Sequence, residues 1–332
     1  MKNKLVSIAM TTYNGEQFIA KQLESILSQS HSNLEILICD DGSIDSTPAI
    51  LQKYSLRDDR IKLFFNKRNL GLIKNFEKSI SLCKGEYIAL SDQDDVWESK
   101  KIEILLSTLD SMQDVGYVFS DAYIVNEKLQ QKGYTLWESK KFSVHADTFN
   151  KYPYTQAEIL LKYPVVFGMS MMFKSTLKAF ILPFSTSFSH DNWISLISSS
   201  AGFMGYAIKQ PLVCYRQHKK QICGTKKFNI IDSIATVSSI HAESYSKELD
   251  AYQDLKKRLL LIADNLKNIS INPAFKALNE KIFHLEQRTI IRNTKGLLKF
   301  KLVAKEIFSM RYFLFSNGIK SIIRDCVGKC NT

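Results

Sequence analysis

Short apolar runs alternate with amphipathic stretches along the first ninety residues. Residues 5–10, 34–39, Ile61–Phe65 and 87–90 are nearly continuous apolar runs bounded by polar turns, the pattern of strands. Between them, Phe18, Ile19, Leu23, Ile26 and Leu27 recur at helical spacing. Thr47 and Pro48 read as an N-cap and first helical residue ahead of Ile50, Leu51 and Tyr54, and Phe76, Ile80 and Cys83 mark a helix stopped by Gly85. Strands alternating with helices in this way predict a parallel, doubly wound α/β sheet. Further on, Ile102, Leu105, Leu106, Leu109 and Met112 predict a helix, and residues 116–120 a strand ending at Asp121. Residues 126–164, with Trp137, Phe142, Phe149, Tyr152 and Tyr154 scattered among charges, read as an irregular excursion over a site. Residues 165–173 read as a strand interrupted by Gly168 and Ser170, passing close to a ligand. A helical segment from Ile194 and a strand over 207–215 follow.

The strand ends carry the chemistry. Strand one stops in Thr11-Thr12-Tyr13-Asn14, strand two in Asp40-Asp41-Gly42-Ser43, and strand four in Ser91-Asp92-Gln93-Asp94-Asp95. Open α/β sheets bind ligands at their carboxyl edge, so these polar clusters outline one nucleotide-sized site. Asp92 and Asp94, two apart on an extended segment, point the same way and suit a hard cation such as Mg²⁺ or Mn²⁺. Asp-rich segments also make turns and helix caps, and Asp95 ahead of Ser99 fits that reading too. No glycine-rich phosphate loop is present, so diphosphate charge falls to a metal. Asp191, in Ser189-His190-Asp191-Asn192-Trp193, reads either as a helix cap or as a general base. Arg216 and His218 follow the last strand, where a cation and an imidazole can meet a diphosphate and its metal; Lys219 and Lys220 read as a solvated loop.

Charge changes the picture only in the last third. The 332-residue chain carries a net +12, but residues 223–332 hold 19 Lys and Arg against 10 Asp and Glu. That part reads as helices, through Ile230, Ile234 and Val237, then Leu249, Tyr252, Leu255 and Leu259, then a helix opened by Pro273. Phe300, Val303, Ile307, Met310 and Leu314 lie on one stripe bordered by Lys299, Lys301, Lys305 and Arg311. Two readings stay open: a basic amphipathic face for an anionic membrane surface, or a face packed on the catalytic domain. The charges interleave with a wide apolar stripe, which argues against nucleic acid as a partner. The six cysteines lack disulfide-scaffold spacing and read as reduced structural thiols. No run reaches the roughly 18 apolar residues of a membrane span, and the N-terminal apolar run is short for a signal peptide, so the expected location is the cytoplasm.

The ordered set Thr12-Tyr13-Asn14, Asp40-Asp41-Gly42-Ser43, Asn69-Leu70-Gly71, Ser91-Asp92-Gln93-Asp94-Asp95-Val96-Trp97, His190-Asp191 with Trp193, and Tyr215-Arg216-Gln217-His218 resembles glycosyltransferase family 2. Within that family it is similar to bacterial rhamnosyltransferase-like members of surface-polysaccharide assembly. The resemblance covers about residues 4–224, against a domain boundary near residue 225. It implies a GT-A fold, Rossmann-like and mostly parallel, with a C-terminal helical extension. It implies an inverting enzyme using a UDP- or dTDP-sugar donor, Mg²⁺ or Mn²⁺, and a glycan or polyprenyl-linked acceptor. By the same resemblance, Thr11 and Tyr13 line the nucleotide pocket, Asp41 reads the base, and Asp92 approaches the ribose and metal. Asp94 ligates the metal with help from His218, Asp191 is the catalytic base, and Arg216, Gly168 and Trp193 lie near the diphosphate or acceptor. Related sequences commonly follow the Gln-His pair with glycine and asparagine, where this chain has Lys219, Lys220 and Gln221. Competing readings are a nucleotidyltransferase, which calls for a basic glycine-rich segment after strand one, and a non-catalytic sugar-nucleotide-binding module.

Overall fold

The computed structural model of the chain describes residues 4–219, 221, 243–262 and 273–327. The expected helix at Ile230, Ile234 and Val237, and Lys220, Cys223 and Cys330, lie outside the described residues.

The apolar runs become β1 (Val6–Thr12), β2 (Leu34–Asp40), β3 (Ile61–Phe65) and β4 (Tyr87–Ser91), separated by α1 (Ile19–Leu27), α2 (Thr47–Ser55) and α3 (Leu72–Leu82). Every residue of β1, β2 and β4 is buried. A strand covered on both faces has no solvent side to make polar, which is why these runs do not alternate. There follow β5 (Val96–Trp97), α4 (Lys101–Ser111), β6 (Val115–Asn126), β7 (Gln131–Thr135), α5 (Leu136–Lys140), α6 (Ala146–Lys151), α7 (Gln156–Lys162), β8 (Met171–Lys174), α8 (Lys178–Ile181), α9 (His190–Ser200) and β9 (Met204–Gln217).

One sheet runs in the order β3-β2-β1-β4-β8-β6-β9-β5, with β7 paired to β6. The pairs among β3, β2, β1 and β4 are parallel, as is β6 with β9, while β8 runs antiparallel to both of its neighbours. The chain winds outward from β1 to β3, then returns to place β4 on the other side of β1. The carboxyl ends of β1 and β4 therefore flank a topological switch point, where such sheets open a crevice for a ligand. The Rossmann-like arrangement with a helical C-terminal extension is as the sequence implies.

Several local expectations change. Residues 126–164 are not irregular: a β6–β7 hairpin and short helices carry Trp137, Phe142 and Phe149 into a cluster with Phe119, ring centroids 4.9–5.8 Å apart. Residues 165–173 are only partly strand, because a 3₁₀ turn, Gly168–Ser170, precedes β8. Thr47 is the first residue of α2 rather than its cap, and its hydroxyl accepts the Gly15 N–H at 2.8 Å. The helix carrying Asp191 starts at His190, not at Ile194. Cys39, Cys83, Cys214 and Cys326 are free thiols, and burial pushes those of Cys39 and Cys83 up to about 11 and about 12.

The chain divides into two compact units: Met1–Pro153, Val165–Ser198 and Phe203–Lys226 form one, and Tyr154–Pro164, Ser199–Gly202 and Lys227–Thr332 the other. The second unit holds α7 with α10 (Glu243–Leu261), α11 (Pro273–Asn293), α12 (Gly296–Phe308), α13 (Arg311–Phe315) and α14 (Ile319–Val327). Its interior includes ion pairs. His284 Nδ1 lies 2.7 Å from Glu306, which also takes Arg311, and Asp325 takes Arg288 and the Tyr312 hydroxyl. The expected 300–314 stripe is not one continuous face: Met310, at φ 61°, separates α12 from α13. Val303 is buried beside Ile291 and Tyr312, while Phe300 and Leu314 are exposed. Lys299 is buried and Arg311 is paired with Glu306 and Glu280, so neither borders the stripe as a solvated cation. Among the described residues no helix is long and apolar enough to cross a membrane.

Candidate active site

Side chains stitch the loops after β1 and β2 together. Asp40 accepts from the Thr12 hydroxyl at 2.8 Å and from both the N–H and the hydroxyl of Ser43. Asn14 donates its N–H to the Ser43 hydroxyl and accepts the Ile44 N–H through Oδ1. Asp41 is buried at the end of β2, and its oxygens accept from Asn66 Nδ2 at 2.7 Å, Leu70 N at 2.8 Å and Gly71 N at 2.9 Å. Gly71 adopts φ 79°, a conformation open to glycine, so the Asn69-Leu70-Gly71 turn is folded onto the Asp41 carboxylate. Thr11 is buried on β1, whereas the Tyr13 side chain is exposed.

Gln93 ties this edge to the acidic loop. Its Oε1 accepts the Tyr13 N–H at 2.9 Å and its Nε2 donates to the Tyr13 carbonyl at 3.1 Å. Gln22 steadies the same loop, donating to the Ser91 hydroxyl and the Asp92 carbonyl.

Beyond Ser91 the three carboxylates separate in environment. Burial, and then the neighbouring carboxylates of Asp94 and Asp191, push the Asp92 carboxyl up to about 7. Asp95 is fully buried; one oxygen accepts the Arg216 N–H at 3.0 Å and the other has no partner, and burial with the Asp94 and Asp92 charges raises it well above the carboxylate range. Asp94 remains reachable, with Oδ2 lying 2.8 Å from His218 Nε2. Arg216 is buried: Nε donates to the Asp94 carbonyl and Nη1 to the Glu127 carbonyl, both at 2.6 Å, and the guanidinium lies 4.7 Å from the Phe18 ring centre. This cation therefore grips the acidic loop by its backbone.

Sequence reasoning missed Lys101. Its ammonium is fully buried, 3.3 Å from the centre of the Trp97 ring, and donates to the Met169 carbonyl at 2.6 Å. Burial lowers its pKa well below the lysine range, opposed by the Asp95 and Asp92 charges. Met169 lies in the Gly168–Ser170 turn, and Gly168 donates its N–H to Asp191 Oδ2 at 3.0 Å. The other oxygen of Asp191 accepts the Asn192 N–H in the first turn of α9. His190 stacks on Phe76 at 3.8 Å with neither ring nitrogen hydrogen-bonded, and burial lowers its pKa, keeping it neutral. Trp193 corrects an expectation: it is 2% exposed and its indole N–H goes to the Ile181 carbonyl, so it anchors α9 instead of facing an acceptor.

Asp92, Asp94, His218 and Asp191 are thus gathered at the switch point, with Asp94 and Asp191 both close enough to act on Asp92. Among the described residues no group of three or more His, Cys, Asp or Glu is arranged to hold a metal, and the protein offers the pair Asp94 and His218. A carboxylate and an imidazole directed at each other beside a second, electrostatically strained carboxylate fit a divalent cation that takes its remaining ligands from a phosphate.

A mostly parallel sheet of this order, with its acidic cluster at the switch point, defines a GT-A-like, Rossmann-like fold. The family model described as glycosyl transferase family 2 matches residues 7–179, and the chain belongs to that family. An uncharacterized glycosyltransferase of Haemophilus influenzae is 36% identical over 124 residues, 37% of this chain and 38% of that protein. The Escherichia coli UDP-Glc:alpha-D-GlcNAc-diphosphoundecaprenol beta-1,3-glucosyltransferase WfgD is 33% identical over 38% of this chain and 49% of its own length, so the alignment spans less than half of either relative. The putative teichuronic acid biosynthesis glycosyltransferase TuaG of Bacillus subtilis is 29% identical over 67% of this chain and 82% of its own. In fold, the chain is similar to S. aureus TarS 1-349 in complex with UDP-GlcNAc, with TM-score 0.55 and 14% identity over 97% of this chain and 89% of that one.

Proposed function

We propose that this chain is an inverting glycosyltransferase that moves a sugar from a UDP- or dTDP-sugar to a hydroxyl of a glycan or polyprenyl-linked acceptor in bacterial surface-polysaccharide synthesis. The observation that carries the reading is the gathering of acidic groups at the switch point: Asp94, 2.8 Å from His218, and Asp191 both act electrostatically on Asp92. Relatives named for a diphosphoundecaprenol-linked acceptor and for teichuronic acid synthesis support the acceptor class.

Tyr13, clamped through its backbone by Gln93, presents an exposed ring for the nucleotide, and Thr11 and the Asp41-held turn would complete that pocket. Asp94 and His218 would hold a Mg²⁺ or Mn²⁺, which supplies Lewis acidity to the departing diphosphate when bound. Arg216 acts through the acidic loop, fixing Asp94 by its carbonyl and Asp95 through its own N–H. Asp191, oriented by the Gly168 N–H, takes the proton from the acceptor hydroxyl as that oxygen attacks the anomeric carbon from the face opposite the diphosphate. General-base assistance of this kind contributes about 10²–10⁴ in rate. Single displacement inverts the anomeric centre. Rhamnose is one donor sugar to include, on the resemblance noted for the sequence.

A release assay across UDP- and dTDP-sugars, including rhamnose, with Mn²⁺ added or chelated, tests this reading. Turnover of one sugar nucleotide that needs the ion, and loss of ion-dependent nucleotide binding in Asp94→Ala, are expected. Metal-independent transfer by the native chain, or a nucleotidyl product, would overturn it.

A further inference from the structure

The helical unit wears apolar residues on the outside of two helices and keeps the charged ones inside. Along α12, Leu297, Phe300 and Phe308 are exposed, Phe308 at 85%, whereas Lys299 and Glu306 are buried with Val303. At helical spacing Leu297, Phe300, Lys301 and Phe308 share one face, with Lys305 at its edge, and both lysines are exposed. On α14 the same inversion recurs: Ile319, Ile323 and Val327, four apart, are exposed, while Ser321 and Asp325 are buried. The two helices pack against each other.

Single exposed apolar residues are ordinary, but two neighbouring helices inverted together are not. Their charges complete the pattern. Glu306 is the one acid of α12 and Asp325 the one acid of α14, and both are buried against His284, Arg288 and Arg311. The outward faces therefore keep apolar side chains and the cations Lys301 and Lys305, with every carboxylate of the two helices withdrawn. A surface at once apolar and cationic complements a bilayer with anionic headgroups, where apolar side chains enter the acyl boundary and lysines meet phosphates. We propose that α12 and α14 are the surface by which this chain lies on an anionic lipid bilayer. The proposal does not depend on sugar transfer.

Flotation of the full chain with vesicles of phosphatidylcholine, with and without phosphatidylglycerol, tests it. Binding to the anionic vesicles alone, released by salt, is expected. Lys301→Glu with Lys305→Glu, and separately Phe308→Ser with Ile323→Ser, should each weaken that binding by at least about tenfold. All four side chains are exposed, and an unchanged melting curve will verify that the variants are folded. No binding, equal binding to both vesicle types, or unchanged binding by folded variants would overturn the proposal. So would a vesicle-free dimer, seen by sedimentation velocity, that the same substitutions dissolve.

Discussion

Gly168 donates its backbone N–H to Asp191 Oδ2 at 3.0 Å, and a Cβ on Gly168 would stand 2.4 Å from His190 Nε2. The turn that orients Asp191 is thus shaped by its neighbour on α9, and Lys101 holds the same turn from the other side through Met169. One short 3₁₀ turn links Lys101 of α4 to the carboxylate of α9.

Gly168→Ala has no room unless His190 or the turn shifts. Overpacking of this kind costs about 1–3 kcal/mol. Denaturant titration should show that loss, and steady-state kinetics should show kcat falling more than donor KM rises, because the displaced group is Asp191.

Lys101→Met removes a buried cation that acts on Asp92 and Asp95 and leaves the Met169 carbonyl without its donor. A loss of about 3 kcal/mol in unfolding free energy is expected, as for breaking a buried charge cluster from one side. Lys101→Arg should not restore it, since the ammonium lies only 3.3 Å from the Trp97 ring centre and a guanidinium is larger.

Gln93→Leu keeps the bulk of the side chain but loses both hydrogen bonds to the Tyr13 backbone. Each is worth about 1 kcal/mol. Isothermal titration should report nucleotide affinity about tenfold weaker, with the catalytic step less affected.

His190 gives a pH signature. Its folded pKa is lowered by burial below the ordinary 6.5, with Asp191 acting in the opposite sense. The stability it contributes is complete above 6.5 and is lost as pH falls through the lower folded value. His190→Phe preserves an aromatic ring over Phe76 and strands no polar atom, so melting temperatures below pH 6.5 should fall less steeply with acid than in the native chain.

The first half of the sheet was legible because β1, β2 and β4 are apolar on both faces and each ends in a polar cluster, signals that survive without tertiary knowledge. The placement of Asp92, Asp94, His218 and Asp191 at strand or helix ends was legible for the same reason: carboxylates and an imidazole stand out against apolar runs. Lys101 was not, because a lysine at the head of an amphipathic helix reads as solvated until Trp97 and Met169 are seen to enclose it. Trp193 misled in the opposite direction, since the motif that contains it does not reveal that its N–H is satisfied by Ile181 in the core. The aromatic stretch 126–164 has no single period, because several short elements share it. The inverted helices α12 and α14 were half visible: the stripe and its charges could be read, but the break at Met310 and the burial of Lys299 and Glu306 depend on tertiary packing.

The central claim is that Asp191 works on the acceptor while the carboxylate and imidazole of Asp94 and His218 work on the donor. Asp191→Asn separates the two, since the amide keeps an oxygen for the Gly168 N–H but cannot take a proton. Sugar-nucleotide binding in Mn²⁺, measured by calorimetry beside transfer on the same preparation, should stay within about twofold of native while transfer falls by about 10² or more. Transfer at the native rate by this variant, with binding intact, would contradict the account.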